Sequence, residues 1–237
     1  MYLPLRERWL SLFSENASKE AISRVYDELV VHYSEIGRHY HTTMHVEDML
    51  NVIDEMLAIY HIESESTDKQ NLHFAAWFHD VVQKPDNAPV GYTVVEASAD
   101  FAVNAIRACG NDSVHQCNTV YELIMLTNKH VVDPSLNVDE MSQKIFLDAD
   151  LAILGSEWEK YRQYATDIAS EFSHLPERAY RVGRTDFLNN MIMRERIFNT
   201  EYMQELYGQR AIDNMKRELG FLYGLNAQDL IDDINPA

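Results

Sequence analysis

A histidine followed at once by an aspartate, His79-Asp80, closes the apolar run NLHFAAWFHDVV. Neutral imidazole offers a borderline nitrogen donor and carboxylate a hard oxygen, so the pair suits a divalent metal. Alone, it reads first as a core histidine with a capping aspartate. It has company, however. Upstream, in RHYHTTMHVEDML, His41 and His45 are four residues apart and share one side of a helix that extends back that far, with His39 as a third imidazole. Downstream, in KIFLDADLAIL, Asp150 stands three residues after Leu147 and four before Leu154, which sets a carboxylate in an apolar helical stripe. An ionised carboxylate is costly to bury alone, so Asp150 must be neutral, paired with an Arg or Lys from another helix, or metal-bound. Asp148, on a different face, is the competing ligand.

The elements that must hold these residues read as amphipathic helices. Leu5–Phe13 comes first, then Glu20–Tyr33 with Ile22, Val25, Tyr26, Leu29 and Val30 on one stripe, and a break at Glu35-Ile36-Gly37. The next helix begins near Thr43 as N-cap, with Glu47 and Asp48 near its positive end and apolar residues at helical spacing through Tyr60. HIESESTDKQ reads as a loop. Leu72, Ala75, Ala76 and His79 fall on one face of the following helix, which the segment from Lys84 to Pro89 ends. Further helices are expected over 91–108, 114–128, 139–154, 156–173, 177–193 and 203–222. Nothing alternates with period two for long enough to demand a sheet. The expected class is all-α: one helical domain over 1–225 and a less ordered tail over 226–237.

Composition agrees. Gly and Pro number only 8 and 6, and 46% apolar residues suffice for a core. No stretch approaches a membrane span, and MYLPLRERWL lacks the features of a secretory signal, so the expected compartment is cytoplasmic. Cys109 and Cys117 read as buried free thiols, because their spacing matches no common zinc motif. A net charge of −18 repels phosphate backbones and argues against general nucleic-acid binding. An acidic chain that takes an anionic substrate needs local positive charge from a metal or from clustered cations. Lys129 and the arginines Arg38, Arg184 and Arg194 are candidates to hold phosphate oxygens.

The order His45, His79-Asp80, Asp150 on separate helices resembles the HD-domain superfamily of metal-dependent phosphohydrolases. RHYHTTMHVEDML, AAWFHDVV, LTNKH and FLDADLAILG look like its bacterial subfamily of predicted phosphohydrolases, over about Tyr33 to Thr200. The resemblance implies an HD-type helical bundle with flanking helices, in which His45, His79, Asp80 and Asp150 ligate the ion; the ADL context favours Asp150 over Asp148. YHTTMHVEDM also looks like the signature of cyclic-nucleotide phosphodiesterases, which implies His41 as general acid. Glu96 and Ser98, in VVEASAD, resemble a Glu-x-Ser segment of the subfamily, which implies that Glu96 orients water or meets the metal through water; Val94 and Val95 depart from its polar pattern. His130 corresponds to a region that supplies a second-metal histidine in some members, or holds phosphate, and Arg184 in YRVGR belongs to a subfamily segment.

The expected activity is therefore metal-assisted hydrolysis of a phosphoester or phosphoanhydride, with a nucleotide as the analogical substrate. The expected partners are a small phosphorylated substrate and a divalent ion (Mn²⁺, Mg²⁺, Ni²⁺, Co²⁺, Fe²⁺ or Zn²⁺), with no membrane and the oligomeric state left open. Two alternatives stand beside it: a di-iron HD-fold oxygenase recruiting Glu96 and His130, and a non-catalytic module that keeps its metal for structure.

Overall fold

The computed structural model describes residues 3–14, 17–62, 67–111 and 113–224. Among them every regular element is helical: α1 Leu5–Leu10, α2 Lys19–Tyr33, α3 Thr43–Ile59, α4 Thr67–Phe78, α5 Val94–Ala108, α6 Val114–Leu126, α7 Glu140–Leu151, α8 Trp158–Glu171, α9 Glu177–Ile192 and α10 Glu201–Leu222. Short 3₁₀ turns occupy Pro85–Asn87 and Ala152–Gly155. The protein is all-α. The tail expected over 226–237 lies outside the described residues.

Hydroxyl caps set many of the starts. The side chains of Ser18, Thr42, Thr93, Ser113 and Thr200 each accept a backbone N–H from the first turn of the helix that follows. Thr42, one residue before the expected Thr43, is thus the cap of α3. Three other expectations shift. The first helix stops at Leu10 rather than Phe13, and Thr67–Gln70, read as loop, open α4. α4 itself stops at Phe78, well before the polar stretch expected to end it.

The chain forms two compact units, Met1–Asp150 and Leu151–Ala237. α4 is the axis of the first and packs on α3, α5 and α6. Every residue from Asn71 to His79 is buried, so from Asn71 onward this helix has no solvent face, as expected of one enclosed by its neighbours. Trp9 of α1 meets Phe74, Trp77 and Phe78 edge-on at 5.6–6.1 Å between ring centroids, and its indole N–H donates to the Ile22 carbonyl at 2.9 Å. The two cysteines are buried free thiols, and burial pushes the Cys109 thiol up to about 11.

A charged knot ties α1, α3 and α4 together. Asp54 receives Arg8 at 2.8 Å and both Lys69 and His73 at 3.0 Å. Burial favours the neutral acid, yet the bonds from His73 and Lys69 outweigh it and hold the carboxyl at about 2. A carboxylate depressed in the fold stabilises above its unfolded value, and that contribution disappears as pH falls toward the folded one. Asp54→Asn is therefore expected to lower the melting temperature at neutral pH. The gap from wild type should narrow below about pH 3.8 and close near pH 2, as thermal unfolding across pH will read. A gap independent of pH would refute this account.

The second unit packs α10 against α9, α8 and the 3₁₀ turn at Ala152–Gly155. A Cβ at Gly155 would come within 2.6 Å of the Tyr207 Cβ, so only glycine permits this approach. Asn214 donates to the carbonyls of Leu154 and Ser156 at 2.9 and 2.8 Å and fixes the turn on α10.

Candidate metal centre

Each donor is set by a local backbone device. Because Thr42 caps α3, His45 falls in the first turn, buried. His41 precedes the helix instead of extending it. His79 lies one residue past the end of α4, yet its N–H still bonds the Ala75 carbonyl at 2.9 Å, so the ring keeps helical phase and points inward. Its Nδ1 lies 3.0 Å from the Ala76 carbonyl; a carbonyl only accepts, so Nδ1 carries the proton and the other ring nitrogen faces the site. Asp150 comes from the last turn of α7, whose Phe146 meets the His79 ring edge-on at 6.2 Å.

The donor atoms converge. His45 Nε2 and His79 Nε2 are 3.1 Å apart. Asp80 Oδ2 is 3.0 Å from His79 Nε2 and 3.9 Å from His45 Nε2. Asp150 Oδ1 is 3.3 Å from His45 Nε2 and 3.5 Å from His79 Nε2. His45, His79 and Asp80 form one mutual group within 4.8 Å that can hold a metal ion; Asp150 joins through the two imidazoles. The imidazole side chains of His45 and His79 are only 3% and 1% exposed, whereas Asp80, His41 and His130 are 27%, 23% and 22% exposed. The site has a nitrogen floor and a wetter rim.

Charge follows this layout. Burial disfavours a cationic imidazole at both floor positions. At His45 it prevails and lowers the pKa, while at His79 the carboxylates of Asp80 and Asp150 overcome it and raise the pKa well above the ordinary value. Burial would raise both acids, but His79 and His41 beside Asp80, and the bonds from His130, His45 and His79 to Asp150, hold both below the usual range. The centre thus keeps two carboxylates ionised and draws positive charge toward them.

The other expected residues have varied places. His41 lies at the rim, its Nε2 3.7 Å from Asp80 Oδ2. His130, at a left-handed φ of 50°, puts Nε2 2.9 Å from Asp150 Oδ2, the carboxylate's second oxygen. Asp148 is fully buried, but the carboxylate that meets the imidazoles is that of Asp150. Lys129, next to His130, is exposed and lines a cleft of about 550 Å³ with Tyr121, Met125, Val131 and Leu136. Glu96 completes a capping box: its Oε2 accepts from the Thr93 N–H at 2.7 Å and hydroxyl at 2.9 Å, which lowers its pKa.

Two arginines proposed to hold phosphate bond the protein instead. Arg38 is buried beneath the site, donating to the carbonyls of Asp80 at 2.8 Å, Val81 at 2.8 Å and His41 at 3.1 Å. Arg184 lies in the second unit, where Glu218 takes up its Nε at 2.7 Å and Nη2 at 3.0 Å. Arg194 lies two residues past the end of α9, with its pKa lowered by burial.

How the supports act was not legible in the sequence. The Ser98 hydroxyl accepts from the Val82 N–H at 3.1 Å and donates to the Val82 carbonyl at 3.3 Å, pinning the chain just past the doublet. Gln83 places its side-chain nitrogen 2.8 Å from His41 Nδ1. Neither bond leaves a periodic trace, although a polar residue directly after an apolar run was a signal at Gln83. Comparison with protein-family models, with curated proteins and with solved structures gave no match. Among the described residues no helix is long and apolar enough to cross a membrane.

Proposed function

We propose that this chain is a divalent-metal-dependent phosphohydrolase acting on a small phosphoester or phosphoanhydride, as its resemblance to the HD-domain superfamily implies. One observation carries the reading: four donors from three separate stretches of chain converge, with two imidazoles beneath and carboxylates toward the rim. For metal–donor distances of about 2.1 Å, neighbouring donors stand about 3.0 Å apart around an octahedral ion and about 3.4 Å around a tetrahedral one. The spacings of 3.0, 3.1 and 3.3 Å fall in that range, 3.5 Å lies just above it, and the 3.9 Å between His45 and Asp80 is wider. Two nitrogens and two carboxylates with positions to spare suit six-coordinate Mn²⁺, Mg²⁺, Ni²⁺, Co²⁺ or Fe²⁺, with Zn²⁺ as the tetrahedral competitor.

When bound, such an ion supplies Lewis acidity, making a water more acidic and offsetting charge on the phosphoryl oxygens. His45, His79, Asp80 and Asp150 would hold it. His130 orients Asp150 through its second oxygen, as a second-layer imidazole does for a ligating carboxylate. His41, at the rim, donates a proton to the departing oxygen. Lys129 is the cation available for a non-bridging oxygen. The test is metal-stripped protein reloaded with each ion and screened against phosphate mono- and diesters and nucleoside triphosphates. Failure of every ion to support hydrolysis above the stripped protein would overturn the reading.

The role of His41 has its own expected result. His41→Ala should retain metal but lose roughly 10²–10⁴-fold in turnover on substrates with poor leaving groups. Nitrophenyl phosphate, whose leaving group needs no proton, should suffer least. Metal loss in the variant would make His41 a ligand, and an equal loss on both substrates would make it a positioning group.

A further inference from the structure

The candidate metal centre and the cleft of about 550 Å³ meet at one turn. Lys129 and Val131 line the cleft, and the residue between them, His130, puts Nε2 2.9 Å from Asp150 Oδ2. The turn that walls the cleft therefore also touches the centre. His130 holds a left-handed φ of 50°, uncommon outside glycine, and such a bend persists where its surroundings fix it. Here they do. The His130 N–H bonds the Leu126 carbonyl at 2.8 Å, which ties the turn to the end of α6. Gln143 of α7, fully buried, accepts from the Asp133 N–H at 2.8 Å and donates to the Asp133 and Val138 carbonyls at 3.1 and 2.9 Å. One helix thus carries the Asp150 carboxylate and braces the far wall of the cleft, so the cleft is formed before any ligand arrives.

Its lining has the make-up of a small-molecule site, mostly apolar with a few polar groups, and its volume lies in the usual range. Tyr121, Met125, Val131, Val132 and Leu136 supply the apolar surface, and Lys129 adds positive charge. Two acids also line it, Glu122 and Asp133, and both accept backbone N–H bonds, from Asn137 at 3.2 Å and from Ser135 at 2.9 Å. Burial, with Asp100 and Glu96 nearby, raises the Tyr121 phenol, so the ring stays neutral. A neutral phenol ring and a thioether both favour a flat π-system over an aliphatic polyol. We propose that this cleft is the subsite for the aromatic organic part, nucleobase or aryl, of a phosphoester whose phosphoryl group meets the metal centre. The phosphoryl half rests on the phosphohydrolase reading; the aromatic half rests on the cleft.

The test uses the full chain loaded with Mg²⁺ and labelled at its methyl groups, with 1-naphthyl phosphate, adenosine monophosphate and glycerol 3-phosphate as probes. Intermolecular NOEs should run from the aromatic protons to the methyls of Met125, Val131 and Leu136. By calorimetry the aromatic phosphates should bind roughly tenfold to a hundredfold more tightly than glycerol 3-phosphate. Met125→Gln and Val131→Thr keep size and charge but make the wall polar. Each should weaken the aromatic probes severalfold and leave glycerol 3-phosphate and metal content unchanged. Val131 is exposed, so its variant does not depend on repacking the core. NOEs from naphthyl phosphate alone would assign the aryl source, and NOEs from both probes the shared π-system. Equal affinity for all three probes, or aromatic NOEs to other methyls only, would overturn the subsite. Naphthyl phosphate seated in the cleft but hydrolysed with no ion would uphold the subsite and overturn the phosphohydrolase reading instead.

Discussion

His79→Ala is expected to leave the purified protein with almost no bound metal, against close to one ion per chain in wild type. His79 Nε2 touches every other donor: Asp80 at 3.0 Å, His45 at 3.1 Å and Asp150 at 3.5 Å. Its ring is the one whose lone pair is aimed by a backbone carbonyl, so the donor arrives with its orientation already set. The alanine removes a ligand and also the group that balances the two carboxylates. Asp80 and Asp150 then face a weaker field of positive charge, and their mutual repulsion opens the site. A loss of affinity beyond the 10–100-fold typical of second-layer changes is expected, because a direct ligand goes. Asp148→Asn should keep its metal, since Asp150 supplies the carboxylate that meets the imidazoles. Elemental analysis of both variants, with circular dichroism to confirm retained helix, makes the comparison. Equal metal in His79→Ala and wild type would place the ion elsewhere, whatever activity remained.

Arg184→Met should unfold the second unit far more easily while leaving the metal centre loaded. Arg184 is buried with Glu218, bonded to both carboxylate oxygens, and its Nη1 donates to the Tyr164 hydroxyl at 3.1 Å. Tyr161 donates to the same carboxylate at 2.6 Å, and burial together with Glu218 pushes its phenol far above the ordinary range. Removing the cation strands an ionised carboxylate in a site built to neutralise it, at a cost of about 3–5 kcal/mol. Replacing both partners with apolar residues of similar size should recover most of the loss, because the desolvation of the acid is removed as well. Thermal and denaturant unfolding of Arg184→Met, Glu218→Leu and the double variant read this as a coupling. If Arg184 held phosphate, the single variant would melt like wild type and bind substrate poorly.

Helical periodicity made the elements legible, and with them the inward direction of His79 and Asp150. Val46, Met49, Leu50 and Ile53 repeat as a buried stripe and mark α3; Leu147 and Leu154 bracket Asp150 and mark the end of α7. The misread end of α4 has a local cause. Apolar side chains continue through Phe78-His79-Asp80-Val81-Val82, so the pattern showed no stop at Phe78, although the backbone leaves the helix there. His79 retains helical phase through a single N–H bond, which is why its inward direction was readable while its place outside the helix was not. The protein acceptors of Arg38 and Arg184 were not legible because a long cation carries no sign of its acceptor. The carbonyls that Arg38 binds lie up to 43 residues away, and Glu218 is 34 residues from Arg184. The boundary between the two units was equally hidden: it falls between Asp150 and Leu151, within the last turn of α7, with no Pro- or Gly-rich linker.

The Arg38 clamp also bears on motion. One guanidinium, packed 5.1 Å over the Tyr33 ring, bonds the backbone on both sides of the rim. Segments tied to one rigid fork share their fluctuations, so the His41 turn and the Asp80 turn behave as a single opening unit rather than two independent loops. Their amides should exchange with solvent in concert, at one free energy of opening.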